Sequence, residues 1–139
     1  MPRIFGHNLL FFILAGLAFY IFGFLMYGVI FGEYWMEIAN VSPDHSPAPW
    51  KMGLGFVIPF VSTAGIAILA SKLGKSGVVG YMKLGVLLAI FFPIMAMAYG
   101  YAYGDTYNIR MFTMDSLHMI VGYAIAGAVL SFGRAAAEA

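Results

Sequence analysis

From Ile4 to Gly32 the chain reads IFGHNLLFFILAGLAFYIFGFLMYGVIFG, with no Asp, Glu, Lys or Arg between Arg3 and Glu33. About 20 helical residues, rising 1.5 Å each, cross a 30 Å hydrocarbon core, so this run exceeds what a bilayer requires and should tilt or project beyond it. It also exceeds the roughly 7–15 apolar residues of a signal-peptide core, so it is expected to be retained. Its end, Tyr27-Gly28-Val29-Ile30-Phe31-Gly32-Glu33-Tyr34-Trp35, returns as Tyr99-Gly100-Tyr101-Ala102-Tyr103-Gly104-Asp105. Both copies read Tyr-Gly-x-x-aromatic-Gly-acid and close an uncharged run.

Further uncharged runs lie between Lys51 and Lys72, between Lys83 and Asp105, and between Asp115 and Arg134. None alternates polar and apolar residues over about 10 positions, as a transmembrane β-strand would. The expected fold is therefore an all-α integral membrane protein: four transmembrane helices in an antiparallel bundle. The approximate spans are 5–32, 53–71, 80–103 and 114–133, in a single domain of residues 1–139, with an extracytoplasmic loop over 33–52. Charged residues make up 9%, against roughly 25% in soluble domains, too few to cover a water-soluble fold. A net charge of +1 provides no basic stripe for phosphates, which argues against nucleic acid as a partner. Cysteine is absent, which excludes disulfides and thiolate metal sites.

Basic residues set the expected orientation. Arg3, Lys72, Lys75, Lys83 and Arg134 fall on the side of both termini, against Lys51 and Arg110 on the other, so both termini are expected in the cytoplasm. The outer side also holds most tyrosines, with Trp35 and Trp50 as interface anchors. Pro43, Pro47 and Pro49 keep Ser42–Trp50 out of a helix interior, while Glu33–Asn40 is expected to extend the first helix. Pro59 and Pro93 should bend the second and third spans, and the short turn between these spans should make them neighbours.

Small residues recur every fourth position as Gly28/Gly32, Ala96/Gly100/Gly104 and Gly122/Ala126. Lipid gives helices no hydrophobic reason to associate, so such stripes point to close helix–helix contact, within the chain or between copies. The Tyr-Gly echo predicts either parallel two-helix repeats, with Glu33 and Asp105 at similar depth, or a coincidence in a Gly-, Tyr- and Phe-rich composition.

Chemistry-bearing residues are few. Asp115 and His118 are three apart and share a helix face with Gly122. Thr113 is a candidate cap, which would put Asp115 in the first turn of the last span, at the positive end of the macrodipole. A histidine at membrane depth tends to face a bundle interior or water, so His118 could fix packing, relay a proton or bind a ligand with Asp115. Met111, Met114, Met119 and His118 offer soft donors for Cu(I), but methionines in membrane proteins are mostly packing residues, and no metal or other cofactor is expected. Hydrolase, phosphate-loop and dinucleotide motifs are absent.

A first span ending Tyr27…Phe31-Gly32…Trp35 and a last span opening with Asp115 and His118 resemble the bacterial membrane family catalogued as domain of unknown function 1761. The resemblance covers nearly the whole chain and implies a four-span inner-membrane protein with no assigned reaction. The leading functional expectation is a non-enzymatic membrane component, self-associating as a homo-oligomer or packed in a larger membrane complex. The alternative is a small-solute or ion carrier with an outward-facing polar site at Glu33, Asp105, Asp115 and His118; a membrane enzyme comes third.

Overall fold

The computed structural model describes residues 2–134. A two-stranded hairpin comes first, β1 (Arg3–Ile4) against β2 (His7–Asn8). The helices follow: α1 (Leu9–Ile30), the short α2 (Gly32–Ile38), α3 (Pro49–Lys72), α4 (Gly77–Tyr103) and α5 (Ile109–Ser131). All but α2 are long and apolar enough to cross a membrane. The hairpin displaces the expected helical start at residue 5. Phe5 and Gly6 both take positive φ, as a tight turn between two strands requires, and Asn8 then caps α1 by accepting from Leu10 N at 2.9 Å.

Two spans contain π-helical turns. One, Leu25–Ile30, closes α1; the backbone then breaks at Phe31 (φ −117°, ψ 18°), so Gly32–Ile38 is a separate helix rather than a continuation. The other, Ile90–Ile94, surrounds Pro93, where a wider turn accommodates the missing N–H. In α3, Pro59 likewise lies inside the helix, and Thr63 one turn on donates its hydroxyl to the Pro59 carbonyl at 2.8 Å.

The last span begins earlier than expected. Asn108, not Thr113, caps α5: its side-chain oxygen accepts from Arg110 N and Met111 N, each at 3.0 Å. Thr113 instead lies inside the helix and donates to the Ile109 carbonyl, and Asp115 sits well past the first turn. The dipole account of Asp115 therefore fails. Asn108 also donates to the Ile38 carbonyl at 2.7 Å, so one side chain ties the end of α2 to the start of α5.

α5 is the hub, packing most extensively against α4 and then α1. Glycines explain how closely these helices approach. A Cβ at Gly127 would lie 2.6 Å from the Tyr81 carbonyl oxygen, and one at Gly85 would strike that of Tyr123. These pairs also make α4 and α5 antiparallel, while Gly16 against Phe60 and Tyr20 against Phe56 do the same for α1 and α3. The second and third spans, expected as close neighbours, touch only lightly. A four-residue turn brings their ends together, but α3 packs mainly on α1 and α4 on α5, where Gly85 meets the Tyr123 carbonyl.

Candidate functional site

The structure gathers polar groups at two opposite ends of the bundle. At the end where α1 stops and α5 starts, Asp115 accepts two hydrogen bonds, from the Tyr27 and Tyr107 hydroxyls, each at 2.5 Å. A carboxylate among apolar helices needs such donors, because leaving it unpaired would cost several kcal/mol. Tyr107 lies in the turn before α5. Burial first, and the Asp115 carboxylate second, hold its phenol well above the ordinary tyrosine range, so it remains a donor.

One helical turn deeper, His118 lies in an aromatic cage. Phe22 stacks on it at 5.7 Å and 14°, Tyr27 meets it edge-on at 5.0 Å, and Phe19 is tilted against it at 5.6 Å. The ring can sit there because Gly23 has no side chain: a Cβ would fall 2.8 Å from His118 Nε2. That nitrogen is buried and has no hydrogen-bond partner among the described residues, and the Ser116 hydroxyl is in the same condition. A cleft of about 240 Å³ between α1 and α3 borders this ring.

The expected site residues are only partly brought together. Asp115 and His118 share a face and meet Tyr27 from the first copy of the echo, with Trp35 edge-on to Tyr27 at 6.0 Å. Glu33 and Asp105 are exposed and lie outside the cluster. The second copy of the echo is used differently: Tyr99 and Tyr103 stack on each other on the surface, 71% and 83% exposed. Met114 lines a different cleft from the one bordered by His118.

The small-residue stripes also divide. Gly122 and Ala126 are buried, and a Cβ at Gly122 would enter the Phe19 ring. Gly28, Ala96 and Gly100 are exposed, Gly32 borders only the Tyr27 carbonyl of its own segment, and Gly104 ends α4. Trp50 is 67% exposed, with the Lys51 ammonium 5.6 Å above its ring, and Trp35 is half-buried.

The opposite end holds a cluster that sequence reasoning passed over. His7 is fully buried; its Nδ1 donates to the Phe5 carbonyl at 2.8 Å, so its Nε2 accepts from the Tyr81 hydroxyl at 2.7 Å. Arg134 reaches the Ala70 carbonyl and the Tyr81 hydroxyl at 3.3 and 3.5 Å, and pairs with His7 through the backbone. Burial is the main reason the His7 imidazole sits below its ordinary value near 6.5, with Arg134 and Arg3 adding to the effect against the Phe5 bond. Its spacing from Tyr81 and Arg134 gave no signal, because the hairpin makes the contact.

Between these ends the polar groups are occupied. Tyr123 donates to Ser62 at 3.2 Å, and the Phe19 ring meets Tyr123 edge-on at 5.5 Å, between His118 and Ser62. The clefts bordered by His118 and by Ser62 share no lining residue. A family model described as "Protein of unknown function (DUF1761)" matches residues 10–131. No curated protein and no solved structure matches the chain.

Proposed function

We propose a function from the premise that this chain belongs to the DUF1761 family of proteins of unknown function: it is a non-enzymatic component of the bacterial inner membrane. It sits with both termini in the cytoplasm and associates with copies of itself or with a larger membrane complex. The observation that carries this reading is the closed middle of the bundle. Phe19, Phe22 and Tyr27 surround His118, and Thr63, the deepest polar side chain of α3, spends its hydroxyl on its own helix. A carrier needs a polar path, and these contacts obstruct the one that the sequence offers.

Association is supported by small residues turned away from the bundle. Ala96 is exposed, and a Cβ at Gly53 would meet nothing within 4 Å. Outward-facing small residues let a second helix approach closely. Orientation rests on Arg3, Lys72, Lys75 and Arg134 at the His7 end, following the positive-inside tendency. The test is chemical cross-linking in native membranes, followed by sizing in mild detergent. The reading expects a species larger than one chain, reduced by Ala96→Leu or Gly53→Leu. A chain that stays single and partnerless under both conditions would sink it.

The carrier alternative keeps one specific support, the unpartnered His118 Nε2. It requires solute flux in proteoliposomes that His118→Ala abolishes, and the association reading expects none.

A further inference from the structure

The cleft beside His118 has the features of a binding site rather than a packing fault. Phe19, Tyr20, Phe24, Met52 and Pro59 form its walls, and Gly23 and Gly55 leave space where side chains would otherwise stand. Phe24 and Met52 are more than half exposed, so the cleft opens sideways between α1 and α3, within the spans. His118 Nε2 is the one buried polar atom at the cleft that lacks a partner among the described residues. A buried nitrogen without a partner carries an unrecovered desolvation cost, which a ligand hydrogen bond would offset.

We infer that this cleft binds a lipid-soluble one-ring quinone or its quinol, with the ring between the aromatic walls and one oxygen hydrogen-bonded to His118 Nε2, which a turn of the imidazole away from Gly23 brings to the cleft surface. The isoprenoid tail lies in the bilayer. The chemistry narrows the occupant in three steps. No Lys or Arg lines the cleft, so a phosphate or carboxylate headgroup would enter an apolar space without a counter-charge. Its volume of about 240 Å³ exceeds the ~150 Å³ that accommodates a benzene ring, leaving room for ring substituents. Aromatic walls and a thioether favour a flat ring over a flexible chain. A neutral imidazole nitrogen serves either form, accepting from a quinol hydroxyl or donating to a quinone carbonyl. No electron transfer is implied. The site goes beyond the association reading and stands whether or not the chain self-associates.

The experiment uses the full chain in lipid nanodiscs, titrated with a benzoquinone carrying one isoprene unit and, in parallel, with a saturated fatty alcohol. Saturable quinone binding is expected, weakened at least tenfold by His118→Phe, which keeps the stacked ring and removes the nitrogen. Gly55→Leu, whose Cβ has open space, should fill the cleft and weaken binding similarly without lowering the unfolding temperature of the empty protein. Should either variant fold poorly, the ¹⁵N resonance of His118 Nε2 in the wild-type chain provides the readout, and quinone must shift it. Unsaturable uptake, equal affinity in both variants, equal binding of the fatty alcohol or an unmoved Nε2 resonance would each overturn the proposal.

Discussion

Two histidines, one fully buried and one half-buried, are solved in opposite ways. His7 has both ring nitrogens satisfied, by the Phe5 carbonyl and the Tyr81 hydroxyl, in a corner built from the hairpin, α4 and the end of α5. His118 has rings against it on several sides and nothing for Nε2. A complete hydrogen-bond set around a buried ring fixes a fold, because removing either partner strands the other. An incomplete one leaves free energy to be gained by an incoming group. The difference separates a structural histidine from a candidate binding one, although both lie among apolar helices.

That contrast can be broken most directly at its strong end. His7→Ala should cost about 3 kcal/mol, from the cavity together with an unpaired Tyr81 hydroxyl, whereas His118→Phe should leave stability unchanged or raise it. Reversible unfolding in mixed micelles measures both, and equal losses would erase the distinction. The same corner should give the protein a pH dependence. Because the folded-state value of His7 lies below the unfolded one near 6.5, its contribution is full above that value and fades as pH falls toward the lower folded-state value. Acidification from about pH 7 to about pH 5 should therefore lower the unfolding midpoint, and His7→Gln should flatten that slope.

At the other end, Tyr107→Phe removes a donor to a carboxylate and should cost about 1.5 kcal/mol, less if Tyr27 and water compensate. Circular dichroism melts, with Tyr27→Phe as the companion, would tell whether Asp115 needs both hydroxyls. Asn108→Ala should cost about 1 kcal/mol, through a lost cap and a lost tie to Ile38. Amide exchange confined to the first turn of α5 and the end of α2 would confirm that the effect is local.

The four spans were legible because charge exclusion over Leu9–Ile30 and its counterparts is a bulk property of the sequence. The Asp115–His118 face was legible from spacing on a single helix. Tyr107 was not, since it reaches Asp115 from a turn whose path no periodicity describes. The start of α5 could have been read from Asn108 standing immediately before Ile109-Arg110-Met111, a cap signature overshadowed by Thr113. His7 with Tyr81 and Arg134 lay beyond reach, because their separation in sequence has meaning only after the hairpin folds back. The echo was legible as a pattern and misleading as geometry. Its first copy crosses a π-turn and turns Tyr27 toward Asp115, while its second remains α-helical and turns Tyr99 outward.

The hairpin that bridges His7 to Arg134 also orders events during synthesis. The first span enters the bilayer with its histidine corner unfinished, because Arg134 follows all four spans in the sequence. α5, against which both α1 and α4 pack most closely, follows both of them in the sequence. The chain must therefore hold three loosely matched helices in the membrane until the fourth emerges. A product truncated before Ile109 would present its glycine faces to whatever quality-control protease or insertion factor stands nearby.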